Sequence, residues 1–152
     1  MPELPDITVY VEALEERIAG QPLLEASIGT PFLLRTVEPG LGDLAGKQVR
    51  SVHRIGKRIS LDFEDDLHAV LHLMIAGRLH WLKKDQRVSR ARNLLAVFDF
   101  PNGTLTLTEA GSKKRASLHI VRGAEAMKQF ERGGVEPFTM TLAEFTHQLR
   151  RE

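Results

Sequence analysis

Apolar residues near the start of the chain are spaced for an amphipathic helix. Between residues 5 and 19 they recur at intervals of three or four, so they share one helical face. Gly20 stands where such a helix is predicted to end, and Pro5 suits its first turn. The apolar positions are Ile7, Val11, Leu14 and Ile18.

The pattern then changes to short segments rich in Val, Ile, Leu and Phe. Many of them alternate, as in Ile59-Ser60-Leu61-Asp62-Phe63, and alternation predicts antiparallel strands with one buried face. The predicted strands are Leu23–Ile28, Phe32–Thr36, Gln48–Arg54, Arg58–Glu64, Leu67–Met74, Arg78–Lys83, Leu94–Phe100, Thr104–Thr108 and Arg115–Val121.

Turn and cap signals complete a prediction of the fold. Asp65-Asp66 and Pro101-Asn102-Gly103 read as hairpin turns. A second helix is predicted over Ala124–Arg132, and a third from Thr141, where Glu144 completes a capping box. We predict an α+β, mostly β fold: an antiparallel two-layer β-sandwich, or flattened barrel, of about eight strands with an N-terminal helix and one or two C-terminal helices.

Composition narrows the class of protein only modestly. The 152 residues suit one domain, and the lack of cysteine excludes disulfides and thiolate zinc sites. With 21 basic and 20 acidic side chains, the net charge of +1 does not by itself indicate a nucleic-acid-binding protein. Basic residues do cluster, either as one phosphate-binding face or as ordinary solvated loops. The clusters are Arg50, Arg54, Lys57 and Arg58; Lys83, Lys84, Arg87, Arg90 and Arg92; and Lys113, Lys114 and Arg115.

The first residues offer a nucleophile. Removal of Met1 would leave Pro2 with a free secondary amine, and an α-amino group has a pKa near about 8, well below that of lysine. Such an amine can attack an electrophilic carbon, and the positive end of the following helix would favour its neutral form. Glu3, directly adjacent, is a candidate general acid or base.

Several motifs together resemble the formamidopyrimidine-DNA glycosylase and endonuclease VIII family. They occur in the family's order and cover nearly the whole chain. They are Met1-Pro2-Glu3-Leu4-Pro5, Arg54-Ile55-Gly56-Lys57-Arg58, His72-Leu73-Met74 with Gly77-Arg78-Leu79, Asn102-Gly103, and Gly134-Val135-Glu136-Pro137-Phe138.

The resemblance implies a bifunctional DNA glycosylase and abasic-site lyase of base excision repair, acting on formamidopyrimidines and 8-oxoguanine. Pro2 would attack the sugar C1′ of an extruded nucleotide, and Glu3 would protonate the ring oxygen. Lys57 would serve the phosphate and proton transfer in β-elimination. Asp6 would orient the amine, although the family commonly has glutamate there. The implied DNA-binding residues are His72, Met74, Arg78, Lys113, Lys114 and Arg115.

The chain departs from the family in the loop that follows Glu109. The family's Asp-Pro-Arg-Arg-Phe-Gly is replaced by Glu109-Ala110-Gly111-Ser112-Lys113-Lys114-Arg115-Ala116, which has no aromatic residue. The family's histidine in the preceding loop has no clear counterpart near Arg90, Arg92 and Asn93. Two alternatives therefore stay open: an oxidised-pyrimidine glycosylase of endonuclease VIII type, and a non-catalytic homologue that binds damaged DNA.

The resemblance also implies a domain division. Residues 1–138 would form the glycosylase β-sandwich domain, and residues 139–152 a helix leading to a linker, with helix-two-turn-helix and zinc-finger domains beyond this chain. No cofactor or metal is expected in this domain, although zinc is possible in the C-terminal part. The expected partner is double-stranded DNA containing an oxidised base or abasic site.

Cellular setting and processing also follow as expectations. We expect a monomer in the cytoplasm, associated with the nucleoid, and no membrane partner, because no apolar run approaches the roughly 20 residues needed to span a bilayer. If Met1 is retained, the nitrogen of Pro2 is an amide and cannot form a Schiff base. The isolated chain with Met1 in place is therefore expected to be inactive.

Overall fold

Two four-stranded antiparallel sheets form the framework in the computed structural model, which describes residues 4–88, 93–111 and 113–133. The first sheet has the strand order β1-β6-β7-β5 and the second β2-β3-β4-β8. The strands are β1 (Glu25–Ile28), β2 (Val49–Ile55), β3 (Arg58–Phe63), β4 (Leu67–His72), β5 (Gly77–Lys83), β6 (Leu94–Phe100), β7 (Gly103–Glu109) and β8 (Ser117–Arg122). The helices are α1 (Leu4–Ile18), α2 (Leu41–Leu44) and α3 (Ala124–Gly133). The predicted fold class is confirmed.

The main core lies between the sheets. Alternation in β3 sends Ile59, Leu61 and Phe63 inward, where they join β4, β6, β7 and β8 in one buried apolar cluster. A second, smaller core lies on the outer face of the second sheet, where Met127 and Phe130 of α3 are buried. Each such side chain contributes about 1.5–3 kcal/mol by leaving water, which is enough to hold a short helix on the sheet.

Helix α1 packs along β2 and runs in the opposite direction. Near its C-terminal end, the N–H of Gly20 donates to the carbonyl of Val49 (2.8 Å). One turn earlier, the carboxylate of Glu15 accepts the N–H of Val52. The N-terminal end of α1 therefore points towards the end of β2 that leads into Lys57.

A polar network on the outer face of the second sheet is centred on Asp62, whose side chain is 13% exposed. One carboxylate oxygen accepts from Ser51 Oγ (2.9 Å) and His53 Nδ1 (2.5 Å), and the other from Ser60 Oγ (2.9 Å) and His68 Nδ1 (2.6 Å). Burial alone would raise the pKa of Asp62, but the hydrogen bonds from His53, His68 and Ser60 lower it to about 2.

The two predicted hairpins are confirmed. Asp65 and Asp66 take left-handed φ values of 63° and 58° between β3 and β4. Asp is one of the few residues other than glycine that tolerates this conformation. Pro101-Asn102 joins β6 to β7, and Gly103 lies opposite Phe100.

One predicted strand is wrong. Residues 32–36 form a turn followed by an isolated parallel bridge between Leu34 and Leu118. The backbone of the segment bonds to Leu118 of β8, and the next contact, from the N–H of Ile120 to Thr36 Oγ1 (3.0 Å), uses a side chain, so no backbone ladder forms. Phe32 is 76% exposed, so the apolar run does not have the burial of a core strand. The short helix α2 was not predicted; the Asp43 carboxylate caps it by accepting the N–H of Gly40 (2.8 Å).

Some predictions lie outside the described residues. They include the helix from Thr141 and the domain boundary at residue 138. Within the residues that the structure describes, no helix is both long and apolar enough to cross a membrane.

Candidate functional site

Four connections meet at one end of the sandwich, which we call the Lys57 end. They are the β2–β3 turn at residues 56–57, the β4–β5 turn at residues 73–76, the β7–β8 loop at residues 110–116 and the segment 29–36 after β1. The register of the sheets brings them together. In the second sheet, Arg58 lies opposite His72, and His72 opposite Ser117; in the first, Gly77 lies opposite Glu109.

Lys57 and Arg58 are neighbours in the β2–β3 hairpin and have different surroundings. Arg58 lies over the ring of Phe130 (5.6 Å to the ring centre), and burial lowers the pKa of its guanidinium. Lys57 is half-buried in the turn itself. The positive charge of Lys57 is one of the causes that lower the pKa of His72.

His72 organises the β4–β5 turn in its neutral form. Burial lowers the pKa of His72, and the positive charges of Arg58 and Lys57 lower it further. The Nδ1 atom accepts the N–H of Met74 (3.0 Å), so Nδ1 carries no proton and the ring proton is on Nε2. His72 thus holds the backbone of the turn.

The β4–β5 turn exposes Ile75 more than Met74. Met74 takes a left-handed φ of 58° and is half-buried, whereas Ile75 is 58% exposed. Arg78 donates through Nη1 to the carbonyls of Ile75 (3.2 Å) and Gly77 (2.7 Å), which fastens the turn. Sequence reasoning missed Ile75, because an apolar residue beside a methionine gives no sign of which one faces solvent.

Glu109 anchors the β7–β8 loop by hydrogen bonds to its backbone. Its side chain is buried, with the residue only 2% exposed, and its carboxylate accepts the N–H groups of Arg115 (2.8 Å) and Ala116 (3.1 and 3.2 Å). Lys114 donates to the carbonyls of Glu109 and Gly111 (both 2.5 Å). Lys113 and Arg115 are exposed. Of the three cations predicted in this loop, Lys114 is therefore engaged by the loop itself, and the other two point outward.

The first turn of α1 lies at the same end. From Glu15 to Leu4 the helix rises about 16 Å, and β2 and its turn cover about the same distance from Val52 to Lys57. Since Glu15 and Val52 are bonded and the two elements run in opposite directions, Leu4 and Lys57 reach the same end of the sandwich. Asp6 is exposed on this first turn. Pro2 and Glu3 lie outside the described residues.

Nothing in the described ranges resembles a metal centre. Within residues 4–88, 93–111 and 113–133, no group of three or more His, Asp or Glu side chains could hold a metal ion. His53 and His68 each bond through Nδ1 to the carboxylate of Asp62, so these two histidines have a structural role.

With this arrangement established, comparison with known proteins decides the family. The family model described as the formamidopyrimidine-DNA glycosylase N-terminal domain matches residues 1–115. The chain belongs to this family. The formamidopyrimidine-DNA glycosylase of Solibacter usitatus is 29% identical over 153 residues, covering 99% of this chain and 54% of the relative. That of Lactococcus lactis subsp. cremoris is 24% identical over 153 residues, covering 100% of this chain and 55% of the relative.

Solved structures show the same fold. A complex between the Lactococcus lactis enzyme and a FAPY-dG-containing DNA matches with a TM-score of 0.75 at 23% identity, over 84% of this chain and 47% of that one. A complex of the same enzyme with an abasic-site-containing DNA also matches with a TM-score of 0.75 at 23% identity, over 84% and 47%. The chain spans about half the length of the formamidopyrimidine-DNA glycosylases that it matches.

Proposed function

We propose that this chain is the nucleophile-bearing domain of a base excision repair glycosylase with abasic-site lyase activity, acting on oxidised purines. The observation that carries the proposal is the convergence of Lys57, His72 and the first turn of α1 on one end of a family-typical sandwich. Relatives that share the family are named formamidopyrimidine-DNA glycosylases, and a structural neighbour contains FAPY-dG, which supports an oxidised purine as substrate.

The chemistry would begin at the amine of Pro2. Its nitrogen attacks C1′ of the extruded nucleotide, the bond from C1′ to the base breaks, and the base leaves with the proton that the amine gives up. Glu3 protonates the ring oxygen as the bond from C1′ to that oxygen opens, which leaves an iminium on Pro2. Lys57, in its neutral form, would then accept a C2′ proton as the C3′–O bond breaks and the 3′ phosphate leaves. Asp6 would orient the amine before attack.

Lys57 suits a role beside the phosphate of the reacting nucleotide. Lys57 lies in the β2–β3 turn, at the end of the sandwich that the N-terminal end of α1 also reaches. Because His72 is neutral, the local positive charge rests on lysine and arginine side chains. Exposed Lys113 and Arg115 extend this charge across the same end. Such cations bind the DNA backbone without reading sequence.

An apolar side chain is needed to fill the space that an extruded nucleotide leaves. The family resemblance implies Met74 as a DNA-binding residue of this turn, but Ile75 is the better-exposed side chain. We therefore propose Ile75 as the residue that enters the duplex, with Met74 packed behind it. Isoleucine is among the apolar side chains that proteins insert between base steps.

Borohydride trapping tests the proposed chemistry. The natural protein with Met1 removed is mixed with DNA containing an abasic site and reduced, and intact mass spectrometry then looks for a covalent adduct. We expect an adduct from the processed protein and none from protein that retains Met1. Failure of the processed protein to trap would favour a non-catalytic homologue that binds damaged DNA. Duplexes carrying a formamidopyrimidine or an oxidised pyrimidine separate the two substrate classes.

A further inference from the structure

Phe32 is an aromatic residue with 76% of its surface open to solvent. Its neighbour Leu33 is only 1% exposed and anchors the segment in the core. An isolated exposed apolar residue is unremarkable by itself. The position and surroundings of Phe32 make it informative.

Backbone pairing places Phe32 beside the cationic β7–β8 loop. Leu34 forms a parallel bridge with Leu118. The carbonyl of Leu33 accepts the N–H of Leu118 (2.8 Å), and the N–H of Arg35 donates to the carbonyl of Leu118 (2.9 Å). Phe32 lies in the turn at residues 31–33, two residues before this bridge, and Arg115 lies three residues before Leu118, so the turn adjoins the point where the β7–β8 loop enters β8.

The backbone of Phe32 is held while its ring faces water. Its carbonyl accepts from Arg35 Nε (2.7 Å), and its N–H lies 3.4 Å from Thr30 Oγ1. The guanidinium of Arg35 is therefore tied to the residue that carries the ring. A phenyl group presented on a braced turn loses little conformational entropy when a planar ligand stacks on it.

Three cationic side chains belong to this part of the Lys57 end. Arg35 is bonded to the carbonyl of Phe32, and Lys113 and Arg115 are exposed on the adjoining loop. An aromatic face among cations is the arrangement by which proteins bind unstacked nucleotides, since the ring stacks on a base and the cations contact the phosphates. The exposed aliphatic residue Val37 has no ring to offer and serves as a contrast.

We propose that Phe32 is a stacking platform for an unstacked DNA base, with Arg35, Lys113 and Arg115 binding the flanking phosphates. This rests on the proposed function in one respect, because extrusion of a nucleotide is what supplies an unstacked base. Two bases can be in that state: the extruded one and the base left opposite it.

Fluorescence of 2-aminopurine tests the platform, since stacking quenches it. The natural protein is bound to a duplex with 2-aminopurine opposite an abasic site, and separately to one with 2-aminopurine as the nucleotide to be extruded. We expect quenching in one arm, which identifies the base. Phe32→Ala should abolish that quenching and weaken binding about tenfold. Phe32→Trp should restore both, and Val37→Ala should behave as wild type.

Several outcomes would overturn the platform. Quenching and affinity that survive Phe32→Ala would do so, as would equal losses from Phe32→Ala and Val37→Ala. Thermal unfolding of each variant checks that the exposed substitution leaves the fold intact. Borohydride trapping separates this proposal from the catalytic one: a wild-type protein that fails to trap but quenches through Phe32 has the platform without the chemistry, and a Phe32→Ala protein that traps at saturating concentration has the chemistry without the platform.

Discussion

The two ends of the sandwich are built from the same strands and are used differently. At the end opposite Lys57, which we call the Asp65 end, the turns at residues 64–66 and 101–102 are short, and their polar groups bind within the protein. Lys47 pairs with Asp65 (2.5 Å), and Asn102 donates to the carbonyl of Arg17 (2.8 Å). At the Lys57 end, longer connections present cations and exposed apolar side chains.

This difference fits the proposal that the Lys57 end carries the functional residues. Strand pairing sets which connections meet, but it does so equally at both ends. The two turns of the Asp65 end bond within the protein, whereas the Lys57 end adds a turn fastened by Arg78, a loop held by Glu109 and an exposed phenyl ring. Binding residues are commonly carried on loops that a rigid scaffold positions.

Two glycines, one at each end, give the largest test of this difference. A Cβ on Gly77 would meet only backbone atoms of Leu73, the nearest at 2.3 Å. A Cβ on Gly103 would meet the ring of Trp81 at 2.3 Å and the carbonyl of Leu82 at 2.6 Å. We expect Gly77→Ala to lower the free energy of unfolding by about 3 kcal/mol, and Gly103→Ala by a similar amount, because packed backbone and ring have little room to move.

DNA binding should separate the two alanine variants. Gly77→Ala must displace the turn that carries Met74 and Ile75, so it should weaken DNA binding even under conditions where the protein is fully folded. Gly103→Ala lies at the Asp65 end and should bind as wild type once folded. Denaturant unfolding and a DNA-binding titration on the same samples measure both effects. Equal DNA affinity in the two variants would contradict the proposal that the Lys57 end binds DNA and the Asp65 end does not.

The sequence predicted the framework of the fold for a local reason. Alternation in β3 and the turn signals at residues 65–66 and 101–103 depend on neighbours along the chain, and the structure confirms all three. The bridge between Leu34 and Leu118 joins residues 84 positions apart, as does the bond from Ile120 to Thr36. No local pattern could show that the backbone of segment 32–36 would form a single bridge to β8 instead of a strand.

Prediction of the candidate site had a different limit. Motif resemblance singled out Lys57, His72 and the cations after Glu109, and these residues do meet at one end. It did not show that Glu109 is the buried acceptor for the loop or that Ile75 is exposed. Both depend on backbone direction: a left-handed φ at Met74 decides which neighbour faces water, and a buried carboxylate is recognised only by the N–H groups around it.

Removing the Glu109 carboxylate should have the next largest effect on the free energy of unfolding. In Glu109→Ala, the buried N–H of Ala116 loses its acceptor, and we expect the free energy of unfolding to fall by about 2 to 3 kcal/mol. Glu109→Gln keeps one acceptor oxygen and should lose less. Glu64→Ala is the matched control at the Asp65 end, where a half-buried carboxylate accepts one N–H, that of Gln48 (2.6 Å).

The β7–β8 loop should become less ordered in Glu109→Ala and stay ordered in Glu64→Ala. Hydrogen exchange at residues 113–116 is expected to accelerate in Glu109→Ala and to stay at the wild-type rate in Glu64→Ala. DNA affinity should fall with the first variant only, since Lys113 and Arg115 lose their positions. A Glu109→Ala protein that keeps both its stability and its exchange rates would show that the buried carboxylate does not hold the loop.

The pH dependence of stability should be smaller and should come from the Asp62 network, outside the Lys57 end. The pKa of Asp62 is lowered from 3.8 to about 2, so its contribution is complete above pH 3.8 and is lost as the pH falls through 2. This amounts to about 2 kcal/mol.

The pKa of His53 is raised, chiefly by its hydrogen bond to Asp62, with smaller effects from Glu131 and Glu15. Its contribution is complete below pH 6.5 and is lost as the pH rises through the higher folded value.

Asp62→Asn should remove both the acid limb and the upper limb. His53→Gln should remove the upper limb and reduce the acid limb, because His53 donates one of the hydrogen bonds that lower the pKa of Asp62. Urea unfolding from pH 2 to pH 8 gives the free energy of unfolding for each variant, and the difference from wild type isolates the network from other carboxyl groups that titrate in acid. DNA affinity at neutral pH should be unchanged in Asp62→Asn, because the network lies on the covered face of the second sheet. A stability curve for Asp62→Asn that runs parallel to the wild-type curve would mean that the carboxylate has the same pKa in the folded and unfolded chains, and the network would then hold the sheet face without responding to pH.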